Sequence, residues 1–149
     1  MRRRALIVWV SVLALALAGS AIAQATFAEI IMARDVAMNA EDIDTTVSLY
    51  ADGATYAVIF GPDEEPLILT GKDAIRERLA GFMGGNAHYD TTVMGVIGDT
   101  ARALCAWGID GLRGDGVDHL ELFEEFVFAD GKIVEHTMTV LRRVPAEEP

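Results

Sequence analysis

The sequence predicts an α+β domain: a curved antiparallel or mixed sheet wrapped around about three helices and enclosing a cavity. Three observations predict it. Up to Gly85 the apolar residues recur mainly at helical spacing, with one strand between helices. From Asn86 to Arg143 the period changes to two, and Gly98-Asp99, Arg113-Gly114-Asp115-Gly116 and Asp130-Gly131 divide that stretch into four antiparallel strands. The order helix, helix, strand, helix, then a meander puts the helices on one side of the sheet. Strands of about ten residues curl, so the sheet closes over the helices and leaves a hollow.

With 149 residues, 52% of them hydrophobic, the chain holds one domain with a real core and has no room for two. Lys and Arg number 12 against 23 Asp and Glu, a net charge of -11. Binding to phosphate backbones draws on basic surface, so a nucleic-acid partner is excluded. The single cysteine, Cys105, makes no internal disulfide and reads as a small buried hydrophobe.

Residues 1–25 read as a signal peptide. Arg2, Arg3 and Arg4 give a positive start, Ala5 to Ala18 an apolar run, and Gly19 to Ala25 a small-residue tail. The overlapping sites Ala21-Ile22-Ala23 and Ala23-Gln24-Ala25 put cleavage after 23 or after 25. An uncleaved membrane anchor is the competing reading, because the apolar stretch approaches the roughly 20 residues of a spanning helix. Cleavage implies a periplasmic or secreted protein with no stable membrane insertion. It also removes three arginines and no acid, which takes the charge from -11 to -14. The domain then spans 26–144, with an acidic tail at 145–149.

Phe27, Ile30, Ile31, Ala37 and Met38 share one face of a first helix, and Arg34 projects from that face. Asp42 stands at an N-cap position before a short second helix that carries Ile43, Val47 and Tyr50 on one side. Ala54 to Phe60 is a strand by composition, Gly61 to Pro66 a loop, and Leu67 to Leu69 a short strand. Gly71-Lys72-Asp73 opens a third helix with Ile75, Leu79 and Phe82 on one face, ended by Gly84-Gly85. In the meander, Trp107 shares a face with Ala103, Cys105 and Ile109. His88 faces inward if the Gly98-Asp99 turn is followed by unbroken pairing, whereas a bulge puts Tyr89 inside instead.

In the last hairpin, Leu120, Leu122, Glu124, Phe126 and Phe128 form the core face. A three-residue loop, Ala129-Asp130-Gly131, pairs Phe126 with Val134, Glu124 with His136, Leu122 with Met138 and Leu120 with Val140, and sets Glu125 against Glu135. A two-residue turn would pair Glu124 with Thr137 and bury more unmatched polar groups, so the longer loop is expected. A carboxylate and an imidazole on an apolar face then meet. They read either as a catalytic acid/base pair at the cavity mouth or as a satisfied structural pair. Burial raises the Glu124 pKa and pairing lowers it; composition does not say which prevails.

The segments Asp42-Ile43-Asp44, Leu49-Tyr50-Ala51-Asp52-Gly53-Ala54-Thr55, Gly71-Lys72-Asp73-Ala74-Ile75-Arg76 and Asp130-Gly131-Lys132-Ile133-Val134-Glu135-His136, in this order, resemble the SnoaL-like domains of the nuclear transport factor 2-like superfamily. The resemblance covers the whole mature chain. It implies a cone-shaped barrel, often a homodimer, with a deep apolar pocket; relatives include polyketide cyclases, ketosteroid isomerases, dehydratases, epoxide hydrolases and binding domains. Against the isomerase pattern, Glu124 falls near the oxyanion-hole acid and Trp107 at a pocket-lining aromatic. Val58 stands where the shuttling carboxylate belongs, and Asp35 or Val36 where a tyrosine belongs. Against the cyclases, Thr137-Met138 follows the final His136 where Trp-Asp is usual.

The expected catalytic residues are therefore Glu124 and His136, with Arg34, Tyr50, Tyr56, Trp107, Met138 and His88 around a ligand. Arg34 either anchors an anion or pairs with Glu124 or Asp35. No tight metal-ligand spacing, Gly-rich phosphate loop or Gly-x-Ser-x-Gly elbow is present, so neither metal nor cofactor is expected. The expected function is an exported pocket for a small hydrophobic molecule, with isomerase, cyclase or lyase chemistry on a carbonyl compound. The alternative is a non-catalytic ligand-binding, dimerisation or partner-binding module, favoured by Phe123 and Leu141 on the outer face.

Overall fold

A computed structural model describes residues 26–146. The expected signal peptide, and 147–149 of the acidic tail, lie outside the described residues. Residues 26–39 are helical (α1) and bury Ile31, Arg34, Ala37 and Met38 on one face, as the spacing requires. Helix α2, Ile43–Ser48, starts where the Asp42 carboxylate accepts the Thr45 N–H at 2.9 Å. Strand β1 runs over Tyr50–Ile59, β2 over Leu67–Thr70, and α3 over Lys72–Ala80. The meander follows as β3 (His88–Ile97), β4 (Thr100–Gly108), β5 (Val117–Ala129) and β6 (Lys132–Pro145). A short helix, α4 (Asp110–Gly114), precedes and takes in the first half of the expected Arg113–Gly116 turn between β4 and β5, making four helices among the described residues.

The six strands form one open, mixed sheet in the order β2-β1-β6-β5-β4-β3. Only β1 and β6 run parallel. That contact moves a boundary: Tyr50, expected on the second helix, opens β1 instead, because Ile133 N–H donates to the Leu49 carbonyl at 2.9 Å and draws the chain into the sheet. The concave face, with Tyr56, Cys105, Leu122, Phe126 and Phe128 buried, packs against Ile31, Met38, Ile75 and Leu79 from the helices. Each such large apolar side chain contributes about 1.5–3 kcal/mol by burial.

Three bulges fix which residues face that concavity. The Asp130-Gly131 turn has two residues, not three: Ala129 pairs with Lys132, and φ is 51° and 71° at the turn, the left-handed pair that suits a tight hairpin. A bulge at Val134 follows, so Phe126 pairs with His136 and Glu124 with Met138. The expected Glu124–His136 register is thus wrong by two positions, as is the Glu125–Glu135 contact; Glu125 lies opposite Thr137. A shift of two keeps every side chain on its face, so Glu124 and His136 still both point inward. A bulge at Leu141 sends Arg143, rather than Arg142, to the inner side opposite Leu120. In β3 a bulge at Met94 pairs Tyr89 with the inward Trp107 and turns His88 out.

Candidate functional site

At the centre of the concavity lies a sealed polar cluster. Arg34, from the middle of α1, donates from Nη1 and Nη2 to Glu124 Oε1 at 3.2 and 3.1 Å. His136 Nε2 is 3.1 Å from the same oxygen, and Tyr50 Oη is 2.9 Å from His136 Nδ1. A carboxylate only accepts, so Nε2 carries the imidazole proton and Nδ1 accepts the Tyr50 hydroxyl. Glu124, His136 and Arg34 are 0%, 1% and 2% exposed.

Burial pushes the Glu124 carboxyl up, but the Arg34 charge and the His136 hydrogen bond outweigh it and hold the group at about 2. Burial takes His136 down to about 4, and its bond to Glu124 offsets that only in part. At neutral pH the pair is a carboxylate and a neutral imidazole. Arg34 decides the balance that composition left open. Asp35, 3.6 Å from the Arg34 guanidinium, is raised by its burial against the pull of Arg34.

Aromatic rings close this cluster. Phe126 stacks on the His136 ring at 4.2 Å, Tyr56 meets it edge-on at 5.1 Å, and the Arg34 guanidinium lies over Phe126 and Tyr89 at 5.2 and 5.4 Å. The Tyr56 hydroxyl donates to Met138 Sδ at 3.6 Å. Burial pushes the Cys105 thiol up to about 12.

A cavity of about 300 Å³ lies next to this cluster, between the sheet and α3–α4. Val58, Tyr89, Trp107, Leu120, Met138 and Val140 supply its sheet wall, and Phe82 crosses the Trp107 ring edge-on at 5.1 Å. Asn39 holds Tyr89 in place: its side-chain amide donates to the Tyr89 carbonyl at 2.9 Å and accepts the Tyr89 N–H at 2.7 Å. Of the expected ligand residues, Trp107 and Met138 line the cavity. Glu124, His136, Arg34, Tyr50 and Tyr56 do not; they meet each other behind its wall. The expected single mouth combining all of them is therefore two neighbouring features. His88 belongs to neither, because the Met94 bulge turns it to a polar depression of about 450 Å³ shared with His119 at the end of the sheet.

Sequence reasoning did not assign Arg78, Arg143 and Phe82, which also line the cavity. Phe82 was legible only as a helix-face residue, and Arg143 is inward only because of an unforeseen bulge. Among the described residues no three His, Cys, Asp or Glu side chains gather as a metal site.

The sequence pattern of the SnoaL-like domain matches residues 32–136. The chain belongs to that family. Solved structures agree on the fold. An NTF2-like protein of unknown function from Mesorhizobium loti is 19% identical with a TM-score of 0.64, over 78% of this chain and 92% of its own. A SnoaL-like protein of unknown function from Burkholderia thailandensis is 18% identical at TM-score 0.63, over 79% and 97%. A putative polyketide cyclase from Sinorhizobium meliloti is 21% identical at TM-score 0.59, over 74% and 93%. At these identities the likeness establishes the cone-like α+β fold alone. Comparison with curated protein sequences gives no match.

Proposed function

We propose that this SnoaL-like domain binds a small hydrophobic molecule in the Trp107 cavity, and that the Arg34–Glu124–His136–Tyr50 cluster stiffens the wall behind it. The cavity carries the reading: it is concave, mainly apolar, and walled by aromatic rings that give a flat ligand dispersion contact. The cluster fits a supporting role because its donors are spent inside it, on Glu124 Oε1 and His136 Nδ1, and its carboxylate is held ionised. Titration of the protein with 2-naphthylmethanol, followed by Trp107 fluorescence, tests the reading. Saturable binding is expected, abolished by Leu112→Trp, which fills the cavity from α4. If the unmodified protein binds neither this alcohol nor the corresponding acid, 2-naphthoate, the reading is defeated.

Acid/base isomerase, cyclase or lyase chemistry on a hydrophobic carbonyl compound is the second reading. Met138 favours it, being at once a cavity wall and the residue paired with Glu124. Loss of turnover of a co-purified substrate in both Glu124→Gln and His136→Ala would support it. The same reading includes export, with residues 1–25 as a cleaved signal, and N-terminal sequencing of the exported protein tests that. A homodimer through the outer sheet face belongs to the non-catalytic alternative; Leu141 is 55% exposed there and Leu104 44%, while Phe123, expected on the same face, is only half-exposed. Sedimentation tests the dimer, with a monomer as the contrary result.

A further inference from the structure

Two arginines at the cavity are unlike the other cations of the described residues. Arg34, Lys72, Arg76, Arg102, Arg113 and Arg142 each hold a carboxylate, and Lys132 donates to the Ser48 carbonyl. Arg78 and Arg143 have neither an ion pair nor a hydrogen bond to the described protein, and both line the Trp107 cavity. In a chain with net charge -11, cations have acids to choose from, so two left over at one place are informative. The Arg78 Nε is buried and unpartnered, while its guanidinium lies 4.6 Å from the centre of the Phe82 ring, which orients its plane. A buried N–H with no acceptor is unfavourable until something accepts from it. Arg143 reaches the same place because the Leu141 bulge turns it inward opposite Leu120.

We propose that the cavity takes a small apolar carboxylate, with its hydrophobic body against Trp107, Phe82 and Met138 and its carboxylate between Arg78 and Arg143. The proposal rests on the binding reading above. A guanidinium matches a carboxylate through two parallel N–H donors, and the apolar walls weaken competition from water. Asp115 lines the same cavity but forms no ion pair with either arginine, so it reduces the positive field there without cancelling it.

The test is calorimetric titration of the full chain with 2-naphthoate and with its neutral counterpart, 2-naphthylmethanol. The acid should bind roughly tenfold more tightly at low salt, which is the scale of one charge-assisted contact. Arg143→Gln, at an exposed position, should shrink that ratio, and Arg78→Gln with Arg143→Gln should bring it within about twofold, while Asp115→Asn should widen it. Equal affinity for acid and alcohol, or a ratio unchanged in the double variant, overturns the anion proposal and leaves the cavity reading standing. Binding of neither compound overturns both.

Discussion

Lowering the pH from 7 to 5 should destabilise this protein chiefly through His136. The folded state holds that imidazole neutral, with its pKa at about 4 against 6.5 when unfolded. Between those values the unfolded chain binds the extra proton, so stability is complete above 6.5, falls as the pH drops towards 4, and then levels off. At pH 5 the loss is about 2 kcal/mol by linkage, or about 7 °C in melting temperature for a domain of this size. The groups facing the ring are Arg34 on α1, Tyr50 and Tyr56 on β1, and Glu124 and Phe126 on β5. Glu124 adds little in this window, since its contribution is lost only as the pH falls from 4.5 towards about 2. Asp35 runs the other way: its carboxyl is raised, so the penalty for keeping it ionised in the fold shrinks on acidification. His136→Gln keeps an amide donor for Glu124 and cannot titrate, while leaving the Asp35 contribution in place. Thermal melts of both proteins at pH 7 and pH 5 isolate the imidazole. The variant should start less stable but lose about 2 kcal/mol less on acidification. Equal acid sensitivity in the two proteins would refute this account of His136.

Other outcomes follow from the same geometry. Arg34→Met leaves Glu124 buried without its cation and should destabilise by about 3–5 kcal/mol in denaturant unfolding, whereas adding Glu124→Gln to it should restore part of that; a purely additive double variant contradicts the pairing. Cys105, with its thiol raised to about 12 and its side chain buried, should react with a maleimide only after unfolding, and rapid native labelling would show the strand facing to be wrong. Gly131, at φ 71°, should lose about 1 kcal/mol as Ala because a Cβ is disfavoured there, although it would meet no atom within 4 Å; an unchanged melting temperature argues against the two-residue turn.

The fold was legible where pattern and parity suffice. Period-two alternation from His88 onward and the turn residues at Gly98-Asp99 and Asp130-Gly131 located the strands, and parity alone turned Glu124 and His136 inward although their assumed register was off by two. What stayed hidden depends on bulges. Val134 and Leu141 carry no glycine or other marker, and beside Met94 only Gly95 hints at one, yet these bulges set the Glu124–Met138 pairing, choose Tyr89 over His88, and send Arg143 into the cavity. The helix-to-strand change at Tyr50 was equally invisible, because it depends on a parallel contact with β6 more than 80 residues away. The separation of the ion pair from the cavity was also out of reach: spacing places Phe126, Tyr56 and Met138 near His136, but only packing shows them as the partition between the two.

The central claim is that the ligand sits against Trp107 and Met138 while the carboxylate–imidazole pair stays behind the wall. A crystal structure of the complex with 2-naphthylmethanol tests it most directly. The naphthalene ring should lie between Trp107 and Met138, with His136 Nε2 still about 3.1 Å from Glu124 Oε1. A ligand oxygen bonded to Glu124 or His136 would contradict it and return the pair to the role of acid and base.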